Sequence, residues 1–165
     1  MYVLDLGDKH DFVELAQQVA DKRKARFLEA EKQFTAEKNV PVSKQPLDAF
    51  AGDYYHEAGT FFVRASLEDG GPGACFQGFE GNSYGLQIVE QDVFSFFMPR
   101  DDQAHRGRWP SANLDAFKFR FYTVAGDTIV GMKWTMEGVV KEPSTLTRTV
   151  IHSPPPGSQF TVQTS

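Results

Sequence analysis

The sequence predicts a mainly β protein in which one long helix precedes an antiparallel barrel or sandwich of eight short strands. Two observations carry this prediction. Apolar residues recur at helical spacing in the first 40 residues, and from Phe50 onward they recur at every second residue. Short segments of the second kind follow one another at a spacing of roughly 10 residues, which is typical of antiparallel β proteins. A chain of 165 residues is sufficient for one domain.

Residues 1–40 form the predicted N-terminal helix. Asp11 followed by Glu14 has the spacing of a capping box. Basic residues alternate with acidic ones along the segment, which is typical of a solvent-exposed face with ion pairs between neighbouring turns. Pro41 and Pro46 end the helix, so residues 41–48 are predicted to be a linker. The apolar positions follow one another at steps of three and four, or twice that where Arg23 intervenes: Phe12, Leu15, Ala16, Val19, Phe27, Ala30 and Phe34.

Residues 49–152 form the predicted barrel, and residues 153–165 a disordered tail. Turns rich in Gly, Asp, Asn and Pro separate the strands. A long charged segment, residues 99–113, is predicted to be a loop that covers one end of the barrel. The predicted strands are Phe50–Glu57, Thr60–Leu67, Gly73–Gly78, Tyr84–Val89, Val93–Met98, Ala116–Tyr122, Thr128–Glu137 and Leu146–His152.

The charge balance and the single cysteine exclude several classes of protein. Asp and Glu outnumber Lys and Arg by 22 to 17. Nucleic acids and anionic membranes bind clustered positive charge, so this balance argues against a nucleic-acid-binding or membrane-binding protein. No apolar run approaches the roughly 18 residues of a membrane span, and the first residues lack the pattern of a signal peptide. Cys75 is the one cysteine, so a reducing, cytoplasmic location is expected.

Short motifs give no sign of a cofactor or a metal. Gly81-Asn82-Ser83-Tyr84-Gly85 has the G-x-S-x-G spacing of a nucleophile elbow, but a strand follows it where an elbow needs a helix. The four histidines show no paired metal-ligand spacing. We therefore expect neither a cofactor nor a metal ion.

Phenylalanine is unusually frequent, with 15 residues, and most of them fall between Phe50 and Phe121. Around the sixth predicted strand, Phe117, Phe119 and Phe121 share one face, while Lys118, Arg120 and Tyr122 share the other. Two arrangements are open at this point. The rings fill the core and the charges lie in water, or some polar groups turn inward and complete an aromatic-lined cavity.

The cavity hypothesis defines a candidate site. For catalysis, Glu137 would act as the base while Lys133 and Arg120 hold or protonate an enolate-like oxygen. The residues predicted to contact a ligand are His56, Phe62, Arg64, Tyr84, Phe96, Trp109, Lys118, Tyr122 and Trp134.

The segment Pro46–His56, PLDAFAGDYYH, resembles the opening P-L-x-x-Y-x-G-x-Y of the lipocalin-like C-terminal domain of β-lactamase-related (penicillin-binding-protein-like) serine hydrolases. Residues 59–63, 119–132 and 146–148 are similar to later strands of that domain. The charged helix and proline-rich linker are similar to the stretch that joins it to the hydrolase. The resemblance implies an eight-stranded lipocalin-like calyx beside a helix. It implies no hydrolase site, because the chain has no Ser-x-x-Lys motif.

Three functions are compatible with these observations. The first is a barrel that binds a small apolar or amphipathic molecule in an aromatic-lined cavity. The second is a cofactor-independent isomerase or cyclase that acts on a natural-product intermediate inside the barrel. The third is a non-catalytic partner-docking domain, with a filled barrel and an exposed apolar stripe on the helix that a homodimer could bury.

Overall fold

The computed structural model describes residues 12–37, 45–68, 70–124, 128–135 and 142–149. The chain begins there with the predicted helix, α1, which spans Phe12–Ala36. The C-terminal part of α1 packs on the rest of the protein, through buried Phe27 and Ala30 and through the Phe34 ring, which lies 5.1 Å from that of Phe97. Every residue from 12 to 26 is exposed. The predicted cap Asp11, the first half of the linker and the tail lie outside the described residues.

Within the described residues, nine antiparallel strands form one sheet in the order β4-β3-β2-β1-β9-β8-β7-β6-β5. The two ends of this order are consecutive in the chain, because only Leu86 separates β4 from β5. The Leu86 N–H donates to the carbonyl of Pro72 on β3 at 2.8 Å. One bent segment therefore pairs with β3 and then with β6, and it brings the sheet close to a closed barrel. The strands are β1 Gly52–His56, β2 Phe62–Glu68, β3 Gly71–Phe76, β4 Ser83–Gly85, β5 Gln87–Glu90, β6 Val93–Ser95, β7 Lys118–Thr123, β8 Ile129–Trp134 and β9 Ser144–Thr149.

The prediction of eight strands was wrong by one, and the bend at Leu86 is the reason. The sequence predicts a single strand over Tyr84–Val89, where the structure places β4 and β5 in succession. Predicted strands also begin or end up to a few residues from the observed ones. Ala116, for example, lies in a 3₁₀ turn, Leu114–Phe117, that leads into β7.

The phenylalanine face of the strands points inward. Phe119 and Phe121 on β7 belong to the barrel core, whereas Lys118 and Arg120 share the outer face, where Lys118 is buried beside Glu37. Because the side chains of a strand alternate between its two faces, this assignment fixes the orientation of β7 as a whole.

Aromatic rings from opposite walls meet inside the barrel. The Phe76 ring on β3 lies 6.1 Å from that of Phe119 on β7 and 5.3 Å from that of Trp134 on β8, although β3 and these strands are far apart in the sheet. Phe96, which follows β6, stacks on Phe119 at 4.9 Å. Such ring pairs contribute roughly 0.5–1.5 kcal/mol each beyond their buried area. The interior of the described barrel is therefore packed with phenylalanine.

One end of the barrel is closed by a 3₁₀ turn, Leu47–Phe50, which spans the end of the predicted linker and the first residue of the first predicted strand. Phe50 packs on the rings of Phe94 and Phe121 at 4.8 and 5.1 Å, and its carbonyl accepts a 2.7 Å hydrogen bond from the Tyr54 hydroxyl. Burial raises the pKa of Tyr54 to about 12, although the positive charge of Arg148 opposes the shift. Arg148 on β9 also donates to the carbonyls of residues 49, 51 and 129. These bonds connect the turn to β8 and β9 of the barrel.

The opposite end, called here the mouth, is covered by the segment predicted to be a loop. Part of it is a two-turn helix, α2, Arg100–His105. Gln103 is the fully buried residue of α2, and its amide nitrogen donates to the carbonyls of Met98 and Ser111 at 2.9 and 3.0 Å. Its amide oxygen accepts from the Ser111 N–H at 2.8 Å. The Gln103 side chain therefore connects the chain just before α2 to the chain after it. Neither described helix is long and apolar enough to cross a membrane.

Candidate functional site

Two arginines lie on aromatic rings at the mouth. The guanidinium carbon of Arg108 is 4.8 Å from the centroid of Tyr84, 5.2 Å from that of Phe76 and 5.4 Å from that of Phe96. Arg106 approaches the same Tyr84 ring at 4.7 Å. These distances fall within the range of attractive cation–π contacts. We call these five residues the mouth cluster.

The chain conformation around Gly107 places both arginines there. Gly107 has a φ of +69°, a conformation that glycine adopts without strain and that ends α2. The Arg108 N–H then donates to the carbonyl of Gln103 at 3.0 Å. Arg106 donates through Nη1 to the carbonyl of Ser83 at 2.9 Å, and Arg108 donates through Nε to the Tyr84 hydroxyl at 3.0 Å.

The mouth cluster concentrates positive charge on a chain of net charge −5. Among the residues that the structure describes, no carboxylate forms an ion pair with Arg106 or Arg108. A cleft of about 180 Å³ adjoins the cluster and is bordered by Tyr84, Phe96, Arg106 and Asp102. The N–H groups of the two arginines that have no protein acceptor in the described structure can donate to an anion.

The structure brings together three of the residues predicted to bind a ligand. Tyr84, Phe96 and Trp134 belong to one aromatic network, with the Phe96 ring 5.6 Å from Tyr84 and 6.2 Å from Trp134. Trp134 Nε1 donates to the carbonyl of Ala116 at 2.8 Å, and the Trp134 ring packs against the core.

The predicted ligand residues on β1 and β2, His56, Phe62 and Arg64, do not belong to this aromatic network. His56 accepts a hydrogen bond from the Ala58 N–H in the turn after β1, and the Phe62 ring stacks on Tyr55 at 5.0 Å. Arg64 lies on the outer face in a two-bond ion pair with Asp53, at 2.7 and 2.9 Å. The hydrogen bond and charge of Asp53 raise the pKa of Arg64 above its ordinary value.

Three further predicted ligand residues lie outside the barrel wall. Trp109 is 82% exposed, and Arg23 of α1 approaches its ring at 5.6 Å. Tyr122 covers the opposite residue of β8, Gly131, where an added Cβ would lie 2.5 Å from the Tyr122 hydroxyl. Lys118 is buried where the end of α1 meets the barrel.

Lys118 forms the most buried charge contact among the described residues. Its ammonium lies 3.1 Å from a carboxylate oxygen of Glu37 and 3.5 Å from one of Glu90. A buried ammonium requires such partners because removing it from water without compensation is costly. The ion pair joins Glu37, just after α1, to the barrel.

The predicted catalytic residues are not gathered around an interior cavity in the described structure. Arg120 forms a 2.7 Å ion pair with Asp115, and Lys133 opposite it in the sheet is exposed. Glu137 lies outside the described residues. Within the ranges that the structure describes, no group of three or more His, Cys, Asp or Glu side chains is arranged to hold a metal ion.

Comparison with known proteins gives no relative whose residues could be aligned with these. No protein-family model, curated protein or solved structure matches the chain.

A second surface lies along α1. A groove of about 570 Å³ runs between the helix and Pro99–Asp101, and apolar residues including Ala16, Val19 and Leu28 line one side of it. Val19 in the groove is 58% exposed, and beyond the groove Phe12 and Leu15 are 75% and 52% exposed. On a helical projection Phe12 and Val19 continue the face that Phe27, Ala30 and Phe34 bury farther along.

Sequence reasoning missed the residues that organise the mouth. Arg106, Arg108 and Gln103 stand in a segment without a repeating pattern, so periodicity gave no reason to choose them. The available signal was the spacing Arg106-Gly107-Arg108, in which a glycine lets the chain turn between two cations. Phe76 was placed on a strand, but its central position among the rings depends on contacts across the barrel.

Proposed function

We propose that this chain is a non-catalytic accessory domain that docks on a larger protein through the N-terminal half of α1. The exposed apolar stripe on that half, formed by Phe12, Leu15 and Val19, carries the proposal. Single exposed apolar residues are common on protein surfaces, but residues aligned along one helix face are typical of an interface.

The marginal stability of short helices supports the same conclusion. Isolated helices shorter than about 12–15 residues are marginal in water, and most helices in proteins are held by packing of an apolar face. The segment from 12 to 26 has no buried residue, whereas Phe27 and Ala30 anchor the rest of α1. A partner that covers the stripe would give the first half the packing that the second half obtains from the barrel.

We propose that the partner is a catalytic domain of the β-lactamase-related serine hydrolase type. The resemblance of residues 46–56 to the lipocalin-like C-terminal domain of that family supports this choice. So does the placement of the charged helix and the proline-rich segment before the barrel. The packed aromatic interior favours a structural role over catalysis inside the barrel, because rings that contact one another leave little room for a substrate.

The test combines separately purified chains. A β-lactamase-related hydrolase domain from the same genome is mixed with this chain and with its Phe12→Gln/Val19→Gln variant, and complex formation is measured by titration calorimetry and light scattering. Gln keeps a high helix propensity, so the variant removes apolar surface without breaking the helix. Val13→Gln is the matched control, since Val13 is 79% exposed and lies about 100° around the helix from Phe12.

We expect a one-to-one complex that the double variant abolishes and that Val13→Gln preserves. Absence of a complex, or equal binding by the double variant, would contradict the proposal. A homodimer that the double variant dissociates would replace the hydrolase with a second copy of this chain as the occupant of the stripe.

A further inference from the structure

We infer that the groove between α1 and Pro99–Asp101 receives an amphipathic helix of the partner protein, with apolar side chains facing α1 and a carboxylate beside Arg23 and Lys24. The inference rests on the proposed function, because the groove shares Val19 with the apolar stripe on α1. It names the chemistry that this docking surface selects.

The length of the groove and its apolar lining fit one face of a helix. The lining on α1 runs from Ala16 to Glu31, which is about 22 Å at the rise of an α-helix. The opposite wall is Pro99–Asp101, at the start of α2. A volume of about 570 Å³ is too small for a whole helix of that length, which is about 10 Å across, so only a row of its side chains enters. The apolar residues that line the groove are Ala16, Val19, Ala20, Phe27, Leu28 and Pro99.

The walls of the groove favour a helix over an extended chain. Extended peptides bind by adding a strand to an open sheet edge, which supplies partners for their backbone groups. None of the described residues that line this groove belongs to a strand. The backbone groups along the middle of α1 are already hydrogen-bonded within the helix. A bound helix satisfies its own backbone in the same way, so it needs only side-chain contacts from the groove.

Two cations in the groove have no carboxylate partner among the described residues. Arg23 and Lys24 form no ion pair there. No acidic residue stands three or four positions from Arg23 on α1, so the helix itself offers it no ion-pair partner. Across the groove Arg100 is paired with Asp101 at 3.1 Å, so these two charges offset each other. The other acidic residue of the lining, Glu31, stands about 12 Å along α1 from Arg23. The part of the groove around Arg23 and Lys24 is therefore positive and complements a carboxylate.

An aromatic ring orients Arg23 at this position. The Trp109 ring centroid lies 5.6 Å from the guanidinium carbon of Arg23, within the range of cation–π contacts. Such a contact uses the flat face of the guanidinium and leaves its edge N–H groups to donate to a carboxylate. Trp109 is 82% exposed, and Trp and Arg are residue types that often carry the binding energy of interfaces. Arg23 is therefore the expected contact for a carboxylate on the bound helix.

Three synthetic peptides test the inference, each about four helical turns long to match the groove. The acidic peptide carries leucine at steps of three and four on one face, glutamate on both flanks of that face, and alanine elsewhere. The basic peptide has lysine in place of each glutamate, and the polar peptide has glutamine in place of each leucine. Each is titrated into the whole chain by calorimetry. We expect saturable binding of the acidic peptide and binding weaker by at least about tenfold for the other two, because like charges or lost apolar contact oppose docking.

Charge reversal assigns the binding to the two cations. Arg23→Glu/Lys24→Glu should weaken binding of the acidic peptide at least about tenfold and favour the basic peptide instead. Lys22→Glu/Arg26→Glu is the matched control, because it makes the same change of charge on the same helix and neither residue lines the groove. The control should keep the preference for the acidic peptide. Glu has a helix propensity close to those of Lys and Arg, and circular dichroism verifies that α1 is retained. If the reversal disturbs α1, Arg23→Gln/Lys24→Gln removes the charge alone and decides the question.

Three results would overturn the inference: no saturable binding of the acidic peptide, equal binding of either comparison peptide, or equal losses in the charge-reversed variant and its control. The docking proposal fails separately, when the hydrolase domain forms no complex or binds the Phe12→Gln/Val19→Gln variant equally well. An acidic peptide that binds while the hydrolase domain does not would support the chemistry of the groove and reject the hydrolase as the partner.

Discussion

Replacing Phe96 by alanine tests whether the barrel is filled. Phe96 is 2% exposed and lies where the walls meet. Truncating a buried phenylalanine costs about 3–5 kcal/mol of unfolding free energy, from lost burial and from the cavity left behind. We expect about 4 kcal/mol, because rings surround Phe96 on several sides and cannot collapse together without moving several strands. The rings that pack on it at 4.9–6.2 Å are those of Phe76, Tyr84, Phe117, Phe119 and Trp134.

Urea unfolding measures the effect. With an m-value of about 2 kcal/mol/M, a loss of 4 kcal/mol lowers the midpoint by about 2 M at constant m. Phe79→Ala is the control, since Phe79 is 65% exposed and should change stability by less than about 0.5 kcal/mol. A loss below about 1 kcal/mol for Phe96→Ala would refute the reasoning, because Phe96 would then border empty space instead of filling it.

Three further substitutions test other parts of the framework. In the wild type we expect stability to fall as pH rises from about 10 to 12, because the pKa of Tyr54 is raised from 10.0 to about 12 on folding and the buried hydroxyl must ionise. Tyr54→Phe should reduce this alkaline loss, which is at most about 2–3 kcal/mol, whereas Tyr55→Phe should retain it in pH-dependent urea titrations. Glu37→Gln should cost about 2 kcal/mol, because it leaves the Lys118 ammonium with Glu90 alone, and hydrogen exchange should show faster opening at the end of α1. Unchanged exchange there would contradict the assigned contact. Gln103→Ala should cost about 2–4 kcal/mol in the same unfolding assay, since two buried backbone groups and one part-buried group lose their partner. A loss below about 1 kcal/mol would show that water replaces the side chain.

The local pattern of apolar residues was enough to predict the helix and the two faces of a strand. The three- and four-residue spacing around Phe27, Ala30 and Phe34 predicted α1; Phe27 is buried in the structure, and Ala30 and Phe34 pack on the barrel core. Alternation predicted the two faces of β7, with Phe119 and Phe121 together. Both patterns depend on the geometry of a single helix or strand, which the sequence carries directly.

The ninth strand, which the sequence did not predict, shows what a local pattern cannot reveal. Tyr84–Val89 alternates as one strand would, and nothing in it marks the bend at Leu86. The bend arises because the first half of the segment pairs with β3 and the second half with β6, which stand near the two opposite ends of the strand order. A requirement set by closure of the whole sheet is invisible in six consecutive residues.

The sequence by itself determined that this is a helix followed by a small antiparallel β domain, and that phenylalanine shares one face of its strands. Tertiary structure alone decided that this face points inward and that the rings meet. It also paired Lys118 with Glu37, 81 residues away, and set Arg108 on Tyr84, 24 residues away. The physical reason is the same in each case. Periodicity separates the two faces of a strand, but only the closed barrel decides which face is buried and which distant charges and rings come into contact.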